Sequence, residues 1–403
     1  MATQTRRYPT DREAKRRILL DAVESVREAA VAGAQEAEQI GKLPPAVVKA
    51  LDDAGLFGLK LPAELGGAEA DPVTQIDVIE KLAYIEPSVS WCMFINSTSA
   101  GWAGAFLPEE SLAAVFKGDR VPHVAGVGGL RGARGVAVEG GYEVSGVFQF
   151  ASGIGHAEWL VGGFAVQDLA GETVDQRFFL VPVEQAYLHD NWQVAGLKGT
   201  SSGDFSLDSV FVPSAMTWEW QALAQGRPQR GGAIFRLGAP AFTANEHGAF
   251  ALGVGRRALD LVTEMALSKR RGTASVTTLI ADRQVFQRFV GQADLQLRAM
   301  RALLCELHEK AWQEVCAGRS IEPALASELR AASVLATEAG IDVATQALRY
   351  AGGSALHLDN MLQRCFRDLV ASGQHFAVSD AQYEAHGMFR LGMGDQVPQT
   401  GTR

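Results

Sequence analysis

Two stretches of helical periodicity bracket a glycine-punctuated β stretch, and that order constrains the fold more than any other feature of the chain. From 11 to 118 apolar residues recur at helical spacing, as in Ile18, Leu19, Ala22 and Val26. Pro44-Pro45 opens a helix continued by Val47, Val48 and Leu51, and Pro72 opens another, with Ile76, Ile79, Leu82 and Ala83 on one face. A further helix is expected after Pro108. From 119 to 220 the period shortens to two. Gly140-Gly141 separates two alternating runs, a hairpin signal, and strands are expected at 159–166, 177–182 and 205–212. From 233 to 395 long Ala/Leu/Glu/Arg segments return, at 248–269, 280–317, 322–351 and 360–371. Helices of that length pack as a bundle. The segment 221–232, with Gly226, Pro228, Gly231 and Gly232, reads as the linker. The class is therefore α+β, mainly α: a helical domain, a small antiparallel sheet or barrel, and a helical bundle.

Composition narrows the function. The 403 residues carry a net charge of −9, which argues against nucleic acid and anionic membrane surfaces. No apolar run reaches the roughly 20 residues that span a bilayer. The basic, polar first 15 residues have no apolar core, so no secretory signal is expected, and the first ten or so read as a loose tail. Cys92, Cys305, Cys316 and Cys365 are scattered, which fits buried thiols in a reducing cytoplasm and no metal site.

Four segments can carry chemistry, and each also has a plain structural account. Phe150-Ala151-Ser152-Gly153 ends a strand on small residues that let a planar ligand approach, with one hydroxyl at Ser152. The alternative is an ordinary strand-to-turn transition. The loop 191–204 is rich in Gly, Ser and Thr. It can cradle a phosphate or a polar edge, or simply turn a hairpin. His375 lies seven residues after Asp368, two helical turns on, so the two can share a face; a lone histidine is also commonly a satisfied core or surface residue. Lys269-Arg270-Arg271 closes a long helix, where the dipole favours cations, and Arg271 is shaped for phosphate. No GxGxxG opens a helix after a strand, and there is no GxSxG elbow.

In this order the motifs resemble the acyl-CoA dehydrogenase superfamily from about residue 15 to 394. They are Pro62-Ala-Glu-Leu-Gly-Gly67, Phe150–Gly153 with Trp159, Gly196-Leu-Lys-Gly-Thr200, Val210-Phe-Val-Pro213, Ala258-Leu-Asp260, Ala351-Gly352-Gly353 and Arg367-Asp368. The resemblance implies an N-terminal helical domain, a middle antiparallel β domain and a C-terminal four-helix bundle. A flavin would lie between sheet and bundle, in a homotetramer. Dehydrogenases of this superfamily carry a catalytic glutamate eight residues after the Arg-Asp pair, where this chain has Phe376. In a second group it sits on the first bundle helix, where Thr243 aligns and Glu246 is one turn away. Tyr383-Glu384 lies a further eight residues along and reads as a surface pair.

His375 at this position resembles instead the two-component flavin-dependent monooxygenases of the same fold. These take reduced FMN or FAD from a separate flavin reductase, form a C4a-peroxide with O2, and oxidise a phenol, amine or sulfur compound. The resemblance implies Ser152 against flavin N5 or the peroxide, with Phe150 and Ala151 beside it. His375 is implied as base or hydrogen-bond donor. Arg271, with Gly352 and Gly353, would meet the flavin phosphate. Asn96 and Trp192 would line the substrate pocket. The alternatives are an acyl-CoA dehydrogenase with Glu246 as base, and a flavin-binding bundle whose catalytic positions have decayed.

Overall fold

A computed structural model of the chain describes residues 8–118, 120–130, 132–273 and 276–397. The N-terminal region contains α1 (Arg12–Ser25), α2 (Arg27–Ile40), α3 (Pro45–Ala54), α4 (Pro72–Ile85), α5 (Pro87–Phe106) and α6 (Glu109–Val115). Asp11 caps α1 and Asp71 caps α4, each accepting from backbone N–H groups of the first turn. Prolines open α3, α4 and α5, where the missing N–H costs nothing. Residues 1–7 of the expected tail lie outside the described residues. From Tyr8 the chain is anchored, because that side chain is buried and its hydroxyl donates to Gly55 O at 3.2 Å.

The middle region contains β1 (Val124–Gly126), β2 (Ala133–Val138), β3 (Gly141–Phe148), β4 (Trp159–Gln167), β5 (Thr173–Pro182), β6 (Tyr187–Leu188), β7 (Phe205–Pro213) and β8 (Thr217–Glu219). They form one sheet in the order β6-β7-β3-β2-β4-β5-β8, with β1 added beside β4. The Gly140-Gly141 hairpin is present as β2–β3. Pairing is mostly antiparallel, but β4 runs parallel to both β1 and β2. Both faces of β5 are covered. Phe178 and Leu180 join the helical core, while Phe179 and Val181 join a second core on the other side. This explains why Phe178-Phe-Leu-Val181 does not alternate in polarity.

The C-terminal region contains α7 (Trp220–Ala224), α8 (Ala239–Phe242), α9 (Glu246–Ala266), a ribbon of β9 (Arg270–Thr273) and β10 (Val276–Leu279), then α10 (Gln284–Cys316), α11 (Pro323–Ala351), α12 (Met361–Ser372) and α13 (Ala381–Arg390). Helices α9 to α12 form the bundle. Gly255 and Gly340 let α9 and α11 cross closely, since a Cβ on Gly255 would lie 3.0 Å from Gly340 Cα.

Three expectations are corrected. Arg271 is on the β9–β10 ribbon and not at a helix end, because α9 stops at Ala266. The 221–232 segment starts within a helix, and Arg230 pins it by donating to Gly104 O and Leu107 O, both at 2.7 Å. Only Cys92 and Cys365 are buried; Cys305 is partly so and Cys316 is exposed. Among the described residues no helix is long and apolar enough to cross a membrane, and no His/Cys/Asp/Glu group could hold a metal.

Candidate active site

The site is organised by α5, a helix that is apolar and buried almost all round. Trp91, Ile95, Thr98 and Trp102 recur at spacings of four, three and four, and so form one stripe. Trp91 is the hub of the site. Its indole N–H donates to Ser152 Oγ at 2.9 Å. Its ring lies edge-on to His247 and His375, at centroid distances of 5.3 and 6.0 Å. His247 and His375 lie ring against ring, tilted by 32° with centroids 4.2 Å apart. Ser152 from the sheet and His375 from beyond the bundle thus meet across one aromatic ring.

His375 does not share a helix with Asp368. α12 ends at Ser372, whose hydroxyl turns back to Leu369 O, and His375 caps a short 3-10 turn instead. There its Nδ1 accepts from Ala377 N at 3.2 Å. Burial holds the imidazole pKa down at about 4, so the ring is neutral near pH 7. With Nδ1 accepting, the proton sits on Nε2, and Nε2 makes no hydrogen bond with the described residues. The side chain therefore presents a donor and not a base.

Asp368 has a different task. It is fully buried and accepts from Leu197 N at 2.6 Å, while Arg367 holds Ala195 O and pairs with Glu38 at 2.7 Å. The pair clamps the 191–204 loop to the bundle. Two of the loop's hydroxyls point into the protein: Ser202 Oγ lies 2.7 Å from Ser152 Oγ and 2.6 Å from Thr200 Oγ1.

Phe150 has a left-handed backbone (φ 66°) and is 64% exposed, with its ring 6.4 Å from that of Trp192. A non-glycine residue there costs about 1–2 kcal/mol, a strain that collects at ligand sites. Trp192 sits on this side of the site, donating to Leu197 O and Lys198 O at 3.2 Å each, and not beside His375. Ala151 is buried in the sheet core. Asn96 falls about 140° round α5 from Trp91, off the aromatic stripe, and both of its amide atoms are buried without a partner. Arg271 lies over Gly352, where an added Cβ would strike the guanidinium, and Gly353 has open space above it. Among the described residues no hydrogen bond or ion pair joins this second cluster to Ser152.

An exposed aromatic ring on a strained backbone, a free lone pair on Ser152 and a guanidinium over an open Gly-Gly turn suit a flavin ring and its phosphate. On the opposite side, Trp102 and Phe376 converge on Gly128, lying 3.9 and 3.8 Å from where its Cβ would be. The buried N–H of Trp102 and Nε2 of His247 have no hydrogen-bond partner among the described residues.

Glu246 is not available as a base. It is 2% exposed, paired with Lys60 and bonded by Thr98. Trp91 and His247 were not singled out in the sequence, and Thr200 and Ser202 were read only as part of the 191–204 loop. For His247, its place at the start of the first bundle helix was the only cue.

Burial also sets a pH dependence. His156 and His308, like His375, are held near pKa 4, and His247 is held well below its usual value. Between about pH 6.5 and 4 the unfolded chain binds these protons and the folded chain does not, so stability falls as pH falls. Asp368 and Glu86 are pushed up to about 7 and about 8, mainly by burial, so the stability they contribute is lost as pH rises through those values. Burial raises the Glu80 and Glu246 carboxyls as well, so histidines and carboxylates oppose one another below about pH 6.5, and only the carboxylates act above it. The melting temperature should therefore fall as pH rises from about 6.5 to 8; a flat profile over that range in differential scanning fluorimetry would contradict this.

Residues 13–110 match the model of the acyl-CoA dehydrogenase N-terminal domain, and 246–380 that of the acyl-CoA dehydrogenase C-terminal domain. The chain is 28% identical over 350 residues to indole-3-acetate monooxygenase of Pseudomonas putida, covering 86% of each protein. It is 28% identical to the flavin-dependent monooxygenase oxygenase subunit HsaA of Mycobacterium tuberculosis, covering 85% of this chain and 87% of that one. The structure of XiaF from a Streptomyces species, in complex with FADH2 and glycerol, superposes with a TM-score of 0.88 at 24% identity, covering 95% of this chain and 97% of XiaF.

Proposed function

The chain belongs to the acyl-CoA dehydrogenase family, and from that premise we propose that it is the oxygenase component of a two-component flavin-dependent monooxygenase. It takes reduced FMN or FAD from a separate flavin reductase and uses O2 to hydroxylate an aromatic or heteroatom-containing small molecule. The observation that carries this reading is the pairing of His375 with Ser152 across Trp91, in a site whose one nearby glutamate, Glu246, is locked to Lys60. A dehydrogenase needs a free carboxylate at its substrate; this site offers a neutral donor.

When bound, the reduced flavin supplies the two electrons with which O2 is cleaved, one oxygen passing to substrate and the other to water. Ser152 would receive the ring edge, with Phe150 and the backbone of Ala151 beside it. Arg271, Gly352 and Gly353 hold the phosphate, of the same or a neighbouring subunit in a homotetramer. Exposed Leu356 and Leu358, just beyond Gly353, support a contact with another copy. His375 keeps its proton at Nε2 and directs it at the reacting oxygen. Trp91, His247 and Trp102, with the exposed Phe376 at their edge, would receive a flat substrate, which fits a relative named for indole-3-acetate. Asn96, off the stripe, and Trp192, beside Phe150, would complete the substrate pocket from α5 and the 191–204 loop.

The test is turnover of the purified protein with reduced FMN or FAD, O2 and a panel of indoles, phenols and sulfides. Oxygenated product should form only when reduced flavin is supplied. Tight oxidised FAD in the purified protein, bleached by an acyl-CoA, would overturn the reading in favour of a dehydrogenase.

A further inference from the structure

Ser152 ends a chain of buried hydroxyls, and the direction of that chain can be read. Each hydroxyl has one proton to give and two lone pairs. Thr200 Oγ1 lies 2.7 Å from Leu197 O, a carbonyl that can only accept, so the Thr200 proton points there. Without it two acceptor oxygens would face each other at that distance. Thr200 must then accept from Ser202, 2.6 Å away. Ser202 has spent its proton and must accept from Ser152, at 2.7 Å. Ser152 also accepts the indole N–H of Trp91 at 2.9 Å. The protons therefore run from Trp91 through Ser152, Ser202 and Thr200 to Leu197 O. All three hydroxyl residues are buried, so water does not compete to reverse the order.

Ser152 is left with one lone pair and no proton to offer. Whatever meets it must donate. N5 of a reduced flavin carries a hydrogen and donates; N5 of an oxidised flavin only accepts. We propose that Ser202 and Thr200, which would not touch the flavin, set the cofactor's redox-state preference by fixing Ser152 as an acceptor, so that reduced flavin is bound and oxidised flavin is released. This rests on the reading that Ser152 meets flavin N5. It makes Ser202 and Thr200 positioning residues, and it gives the 191–204 loop, clamped by Asp368, its purpose.

The experiment is anaerobic titration of the full-length protein with FMN and FAD, each oxidised and dithionite-reduced, read by flavin absorbance and fluorescence. One misdirected hydrogen bond is worth about tenfold in Kd. The wild type should favour reduced flavin by at least about that factor. In Thr200→Val the Ser202 proton turns back to Ser152, whose own proton is freed; in Ser202→Ala it is freed directly. Both variants should lower the oxidised-to-reduced Kd ratio by about tenfold, mainly by tightening the oxidised form. Thr200→Ser keeps the hydroxyl and should restore the wild-type ratio, which a packing defect would not predict. An unchanged ratio in Thr200→Val and Ser202→Ala, with a changed one in Ser152→Ala, overturns the hydroxyl chain and leaves the flavin site standing. Unchanged Kd values for both redox states in Ser152→Ala overturn the placement of N5 at Ser152 itself.

Discussion

Replacing His375 with alanine is expected to lower oxygenated product by roughly 10²–10⁴-fold, the usual cost of losing a positioned proton donor, while leaving flavin binding little changed. The reason is geometric. His375 stands on the Trp91 and His247 side of the site, whereas the flavin-side groups Phe150, Ser152 and Trp192 are held by the sheet and the 191–204 loop. Oxygen should still be consumed and should end as hydrogen peroxide. His375→Gln, which retains an N–H at the end of a side chain of similar reach, should recover part of the yield. The pH profile separates donor from base. A base with an ordinary histidine pKa would lose activity below pH 6.5, but an imidazole held near 4 and protonated at Nε2 should support turnover down to about pH 5. Unchanged product yield in His375→Ala would remove this residue from the chemistry.

Lys60→Met should destabilise the protein by about 3–5 kcal/mol, the cost of leaving one partner of a buried ion pair alone. Lys60 is fully buried, pairs with Glu246, donates to Phe242 O at 2.9 Å and lies over the Phe242 ring. Burial pushes the Glu246 carboxyl up and the Lys60 ammonium down, so neither charge is tolerable without the other. Glu246 also takes the Thr98 hydroxyl, and it precedes His247, so the loss should loosen the pocket wall as well. Lys60→Met combined with Glu246→Leu removes both charges and should recover most of the stability. Thermal inactivation midpoints measure both. A Lys60→Met midpoint equal to wild type would mean the pair contributes nothing. It would also reopen Glu246 as a free base.

The residues proposed for this site could be named before folding was considered, and the gaps have physical causes. Ser152, Arg271 and the Gly352-Gly353 turn were named because they stand at positions the motifs mark, and His375 because it stands beside the position where a dehydrogenase has its glutamate. Helix α5 was not resolved within its region. It is buried on every side, so its sequence carries no amphipathic period to betray it or the phase of Trp91. Asn96 was implied for the pocket by the resemblance alone; the helix phase sets it off the aromatic stripe, with both amide atoms buried and unpartnered. The helical relation between Asp368 and His375 failed because α12 ends between them. His247 looked like any core histidine until packing set it against His375.

The amino-acid sequence by itself determined the three-region order, the sheet's hairpin, the family and the substitution of His375-Phe376 where a dehydrogenase has its glutamate. Those are properties of local period and of residue identity, and both can be read along a line. Only the tertiary structure decided what the groups can do. It put the His375 proton on Nε2, took Glu246 out of use through Lys60, and gave the Trp91–Ser152–Ser202–Thr200 chain its direction. A hydrogen bond's polarity and a charge's availability depend on which partners lie within about 3 Å. In this protein those partners come from helices, strands and loops far apart in the chain.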